Sequence, residues 1–348
     1  MKTKVYYPEH LLYSSNINDL FFLIKAKQRA ESGSANFKEI TDLLDFVTEI
    51  DAADLVLLPL DWNYYFQVKK EKEAMAFVSE VAKSGKVILS STSGDFGITM
   101  DLPETCIVYR ITGYKSRLRP NERIHPFFLS DPIETMFKGK IDSILSRVDN
   151  QKPKIGFCGM APQQPSIWLK EILRIVMRNF LGKIGQHPFD AQNILSSSRL
   201  RSKSLHAFEE SELFDTNYIV RKGYRANANT TELRKKTTQA YYQNQFESDF
   251  IICARGGGNF SVRFYETLAM ARIPIFIDTD SPLPDISPLD WNDYIIVCDS
   301  KNISSLSEIA SKWLQGKSLK DIFAQNRKLW ENRLSMTSFW INEINSFT

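Results

Sequence analysis

Residues 248–278 read SDFIICARGGGNFSVRFYETLAMARIPIFID, and this stretch decides the fold class. Residues 250–254 are an apolar run between turn signals, the pattern of a strand buried on both faces. The turn Arg255-Gly256-Gly257-Gly258-Asn259 follows, then a helical pattern from Ser261 to about Arg272, then a second strand over residues 273–277 closed by Asp278. A strand, tight turn, helix and strand in so short a span belong to a parallel, helix-covered sheet. Three glycines allow a positive-φ bend and a close backbone approach to a ligand. Ser261 suits the N-cap of the helix, whose first N–H groups are free to meet an anion. Arg263 stands in the first helical turn, the unfavourable end for a cation, at a cost of about 0.3–1 kcal/mol. A bound anion would reverse that cost, so Arg255, Arg263 and the helix end together suit a diphosphate. Glu266 lies three residues on, where a carboxylate could accept hydrogen bonds from a ribose diol. A structural glycine turn with a surface Arg–Glu pair fits the same residues.

The rest of the chain supplies the setting. Its 348 residues are enough for about two domains, and the net charge of +3 does not suggest a nucleic-acid partner. Cys106, Cys158, Cys253 and Cys298 are widely spaced, three of them in apolar runs, and read as reduced core thiols of a cytoplasmic chain. The four histidines form no metal-binding pattern, and no D-x-D-like motif sits in a suitable loop. No secretory signal is visible, and no apolar run approaches the roughly 18 residues that span a bilayer, so any membrane contact is peripheral.

Strands are expected at residues 4–7, 53–60, 86–90 and 105–111 of the first half, with helices at about 18–30, 40–50, 71–84 and 133–148. The loop after the second strand, Asp61-Trp62-Asn63-Tyr64-Tyr65-Phe66, could stack on a sugar or simply cover the core. The loop STSGDFG, residues 91–97, carries Asp95 between two glycines; it is a general-base candidate and equally a common turn residue. The polar stretch 149–154 marks a domain boundary, after which the pattern restarts with a strand at 154–158, the loop GMAPQQP and a helix at 166–180. The basic segment 199–206, RLRSKSLH, reads as a solvated loop, with contact to acidic lipid or acceptor as the other reading. Arg221, Lys222 and Arg225 cluster at the end of a strand expected over residues 216–221, and a polar helix is expected over 231–247.

Residues 248–291 resemble the exostosin-like glycosyltransferases of family 47. The resemblance is carried by S-x-F-x-x-x-x-R-G from Ser248 to Gly256, S-x-R-F-x-E-x-L from Ser261 to Leu268, I-P-I-F from Ile273, Leu283-Pro284 and Leu289-Asp290-Trp291. Weaker echoes are ADLVLLPL at 53–60, GDF at 94–96 and KPKIGFCG at 152–159. The resemblance implies an α/β chain of GT-B form, two Rossmann-like domains facing a central cleft. Residues 1–150 would form the acceptor-side domain, 151–328 the nucleotide-sugar domain, and 329–348 a helix that packs either back on the first domain or on the second.

It further implies an inverting transfer of a sugar from a nucleotide diphosphate-sugar to an oligosaccharide or glycolipid hydroxyl, in surface polysaccharide synthesis, with no cofactor besides the donor. On matching positions Arg255 and Arg263 would meet the donor diphosphate and Glu266 the ribose; the residue pattern adds Gly256, Gly257, Ser261 and Arg221 to the expected donor site. The GDF match makes Asp95 the base, although its loop departs from the aromatic or histidine-rich surroundings usual in the family. The alternative is a catalytically silent module of the same fold that binds a glycan or a partner glycosyltransferase.

Overall fold

The computed structural model describes residues 2–34, 37–146 and 152–347. It contains two parallel sheets. The first is formed by β1 (Thr3–Tyr6), β2 (Leu44–Phe46), β3 (Leu55–Leu57), β4 (Val87–Ser91), β5 (Cys106–Arg110) and β6 (Glu122–Ile124). The second is formed by β7 (Lys154–Gly159), β8 (Asp215–Val220), β9 (Phe250–Cys253), β10 (Ile273–Asp278) and β11 (Ile296–Asp299). Their strand orders are β2-β1-β3-β4-β5-β6 and β11-β10-β9-β7-β8. Each sheet starts in its interior, adds its second strand on one side and builds outward on the other, so each has a point where the winding reverses. The expected α/β class, with two Rossmann-like units, is what the chain forms. The expected boundary, at residues 150 and 151, lies outside the described residues.

The helices of the first half are α1 (Phe22–Glu31), α2 (Lys38–Thr41), α3 (Trp62–Gln67), α4 (Glu71–Ala82), α5 (Pro132–Phe137) and α6 (Ile141–Leu145). Those of the second half are α7 (Pro165–Lys183), α8 (Ser197–Glu209), α9 (Thr231–Phe246), α10 (Val262–Ala269), α11 (Leu306–Leu314), α12 (Leu319–Leu329) and α13 (Met336–Asn345). A run of strand residues buried on both faces explains why β9 reads as continuously apolar. Ile251 and Cys253 join one apolar cluster with Phe264 and Leu268 of α10, while Phe250 and Ile252 join another with Ile155 of β7. All four cysteines are buried and unbonded, and burial raises the thiol of Cys253 to about 12.

Three local expectations are corrected. Residues 40–50 are not one helix: α2 ends at Thr41 and Leu44–Phe46 pairs with β1 as an edge strand. Pairing of Thr3 with Leu44 and of Val5 with Phe46 buries Leu44 against the core, which outweighs the helical spacing. The aromatic loop after β3 is the short helix α3, and Trp62 and Tyr65 are fully buried, tied to Ser90 Oγ and to the Leu11 carbonyl, so these two rings cover the core. The segment 199–206 is not a solvated loop but the middle of α8, whose Leu200, Leu205 and Phe208 are buried.

The chain's last helix, α13, lies on the first sheet's core. Trp340 stacks on Phe22 with ring centroids 5.1 Å apart and packs on Tyr109 at 5.0 Å. Glu343 accepts hydrogen bonds from Tyr109 Oη at 2.5 Å and from Arg123 at 2.8 Å.

Candidate functional site

The winding of the second sheet reverses between β7 and β9, and crevices at such reversals, beyond the carboxyl ends of the strands, are where doubly wound sheets hold ligands. Three arginines come together there from separate elements. Arg263, the second residue of α10, donates to the Cys158 carbonyl at the end of β7 (2.9 Å) and to the Ile252 carbonyl of β9 (3.4 Å). Its guanidinium lies 4.6 Å from the ring centre of Phe157. Gly159 makes room for it: a Cβ there would stand 2.7 Å from Arg263 Nη2. Arg201, one turn into α8, donates to the Met160 carbonyl (3.3 Å) and to the Arg255 carbonyl (2.9 Å). Arg221, just past β8, donates its side chain to the Thr237 carbonyl (2.7 Å) and its backbone N–H to Gly159 (2.8 Å).

Arg263 is buried, which lowers its pKa, but Tyr241, Cys253 and Glu266 outweigh burial and its guanidinium is raised. Burial, and then the positive charge of Arg263, hold Arg201 down to about 10. Arg221 and Arg263 both favour the ionised form of Cys158, although burial wins and its thiol is raised. The Nε atoms of Arg201, Arg255 and Arg263 are buried with no hydrogen-bond partner. Like charges held close and donors left unpaired are costly unless an anion takes them up.

The other expected donor-side residues are arranged differently from the reading of the sequence. Glu266 accepts from Tyr241 Oη (2.5 Å) and Tyr242 Oη (3.2 Å) of α9, so its carboxylate is already shared by two tyrosines. Arg255 is 2% exposed and points toward the first half of the chain, donating to Tyr114 Oη (3.4 Å), Gln192 Oε1 (3.3 Å) and the Gly257 carbonyl (3.3 Å). Ser261 occupies the N-cap position of α10, but its side chain makes no capping bond.

The glycine turn has another purpose than the expected positive-φ bend, since none of Gly256, Gly257 and Gly258 has a positive φ. A Cβ on Gly258 would stand 1.8 Å from the Asp95 carbonyl oxygen, and one on Gly257 would stand 3.1 Å from Asp95 Oδ2. Glycine is needed at 258 because the backbone of the first half passes against it. Gly256 is uncrowded by comparison; its carbonyl accepts from Ser197 Oγ at 2.6 Å.

The two halves therefore meet at this turn. Asp95 is an exposed carboxylate on the loop after β4, set against the turn and facing the charge of Arg178. Asn259, fully buried, donates to the Gly113 carbonyl (2.8 Å) and accepts from Thr279 Oγ1 (2.6 Å). Asp190 accepts from the Thr99 N–H (2.8 Å) and from Arg110 Nη2 (2.6 Å), which fastens the segment after α7 to the first sheet.

No protein-family model and no curated protein matches the sequence. Solved structures with a distant likeness include a glycosyltransferase from Rickettsia africae, at 12% identity and a TM-score of 0.38 over 99% of this chain and 98% of that one. Acinetobacter baumannii MurG gives 10% identity and 0.34 over 99% and 100% of the two chains. Anabaena HepE in complex with UDP gives 9% and 0.35 over the whole of both. Likeness at this level carries no argument about the site, which rests on the geometry above.

The sequence pointed to Arg263, Arg221 and Asp95 but missed Arg201. The available signal was Ser196 followed by Leu200, Leu205 and Phe208 at helical spacing; Ser196 Oγ does accept the Arg199 N–H at 3.1 Å, as an N-cap should. A second carboxylate was also passed over. Asp61, just past β3 and so beside the winding reversal of the first sheet, is raised by burial even though the hydroxyl of Ser91 donates to it.

Among the described residues no group of three or more His, Cys, Asp or Glu side chains is arranged to hold a metal ion. A depression of about 650 Å³ is lined from β10, β11 and the segment 281–292, with Lys115 beside it, and includes none of the three arginines.

Proposed function

We propose that the chain is a GT-B glycosyltransferase of exostosin-like type, which transfers a sugar from a nucleotide diphosphate-sugar to a glycan hydroxyl with inversion. The observation that carries this reading is the meeting of Arg201, Arg221 and Arg263 at the winding reversal of the second sheet, with Asp95 facing the adjoining glycine turn from the first half. In this reading Asp95 takes the proton of the acceptor hydroxyl as its oxygen attacks the anomeric carbon. The bond from that carbon to the diphosphate oxygen breaks, and the electron pair leaves with the diphosphate. The growing negative charge is met by Arg201, Arg263 and the N–H groups that open α10. Surface polysaccharide synthesis is the role that suits such an activity.

A silent binding module of the same fold is favoured by one observation, the engagement of Arg263 and Glu266 in bonds within the protein. Calorimetric titration with UDP, GDP and their sugars, followed by assay of sugar transfer to glycan acceptors, separates the readings. The expected result is binding of one nucleotide, weakened about 10- to 100-fold in Arg201→Ala and Arg263→Ala. Asp95→Asn should keep donor binding and lose transfer by about 10²–10⁴-fold. Nucleotide binding without transfer selects the silent module; no binding of any nucleotide by the wild-type chain sinks the donor-site assignment.

A further inference from the structure

The amphipathic helix α7 presents its apolar face to solvent. No residue of α7 is buried, and Leu169, Leu173, Met177, Phe180 and the adjoining Ile184 are each more than half exposed, with Val176 close behind. At 3.6 residues per turn these six side chains fall within an arc of about 100°. An apolar stripe of that width ordinarily faces the core. Here the opposite side of the helix makes the internal contacts: Glu171 accepts from Ser196 Oγ (2.6 Å) and Ser198 Oγ (2.5 Å) at the start of α8.

The charges beside the stripe have one sign. Lys170 and then Arg174 follow one edge and Lys183 the other, Arg178 lies farther round against Phe96, and Glu171, the helix's single acidic residue, is turned inward. Leu173, Met177 and Leu181 floor a shallow groove of about 410 Å³ rimmed by Arg174, Arg178 and His187. An apolar strip with cationic margins is complementary to an anionic lipid surface, where the strip meets the acyl boundary and the margins meet the phosphates.

We infer that α7 docks the protein on an anionic membrane surface. Among the described residues no helix is long and apolar enough to cross a membrane, so the contact is made with the helix lying in the surface plane. Docking also orients the cleft. Arg178 lies 3.3 Å from the ring centre of Phe96 and faces Asp95, so the loop that carries Asp95 is brought to the bilayer edge along with α7. The inference concerns lipid binding alone and stands whether or not the chain transfers sugars.

The test is flotation of the full chain with phosphatidylcholine vesicles and with vesicles that also contain phosphatidylglycerol. The expected result is flotation with the anionic vesicles only, weakened by salt. The double variant Leu173→Glu/Met177→Glu should lose at least about tenfold in affinity with an unchanged melting temperature, because both side chains are exposed. Lys170→Gln/Arg174→Gln should weaken binding and flatten its salt dependence. Absence of flotation with either vesicle overturns the inference, as does flotation that both variants leave intact. A lipid-free dimer in sedimentation velocity that Leu173→Glu/Met177→Glu dissolves would assign the face to a second copy of the chain instead.

Discussion

Helices α7 and α8 follow one another, touch through Glu171, and reverse what their sequences suggest. The α7 sequence PSIWLKEILRIVMRNFLGK looks like a core helix, yet none of its residues is buried. The α8 sequence SSRLRSKSLHAFE looks like a solvated basic stretch, yet it buries Leu200, Leu205 and Phe208 and sends Arg201 into the arginine cluster. The difference shows that hydrophobicity sets what a helix would gain from burial, while the position of its neighbours sets whether burial is available. α8 is in contact with β8, β9 and α11; α7 has α8, Phe96 and the segment 187–192 on one side and solvent on the other.

The largest expected effect tests that contrast in stability. Phe208→Ala should cost about 3–5 kcal/mol in denaturant unfolding, because Phe208 is fully buried against Phe214. Phe180→Ala on α7 should cost under about 0.5 kcal/mol. Equal losses would break the comparison.

The next effect separates the two helices' arginines. A nucleotide diphosphate at 100 times its Kd should stabilise the wild-type chain by about 2.7 kcal/mol, read as a rise in melting temperature. Arg201→Gln should lose most of that rise and Arg174→Gln should keep it. An equal rise in both variants would place the anion elsewhere.

Smaller again is the joint between the helices. Glu171→Ala removes the acceptor of three hydrogen bonds from Ser196 and Ser198. It should cost about 1–3 kcal/mol by urea titration, against near zero for Glu210→Ala at the exposed end of α8.

A pH trend leaves both helices untouched and so sharpens what belongs to them. His125 is held down to about 4 by burial, against 6.5 when exposed. Its folded pKa is depressed, so its neutral form contributes stability that is complete above pH 6.5 and is lost as pH falls toward 4. His125→Gln should flatten the unfolding free energy across that window, and the difference between Phe208→Ala and Phe180→Ala should stay constant through it.

By itself the sequence determined the buried inner strands and their parallel pairing, because such strands need apolar runs and a strand-turn-helix-strand unit closes only one way, while the short edge strands β2 and β6 carry no such run. It also determined that Arg263 opens a helix next to the glycine turn, since the spacing of residues 255–268 leaves little choice of register. The residue pattern placed Asp95 on a loop after β4, but nothing local could say that its carbonyl would lie against Gly258, 163 positions along the chain. That contact, and with it the reason for glycine at 258, exists only when the two sheets are docked. The same holds for the arginine cluster, which gathers Arg201, Arg221 and Arg263 from three elements. It holds too for the exposed face of α7: periodicity can show that a helix has an apolar side, but only the arrangement of the other helices decides whether protein or solvent lies next to it.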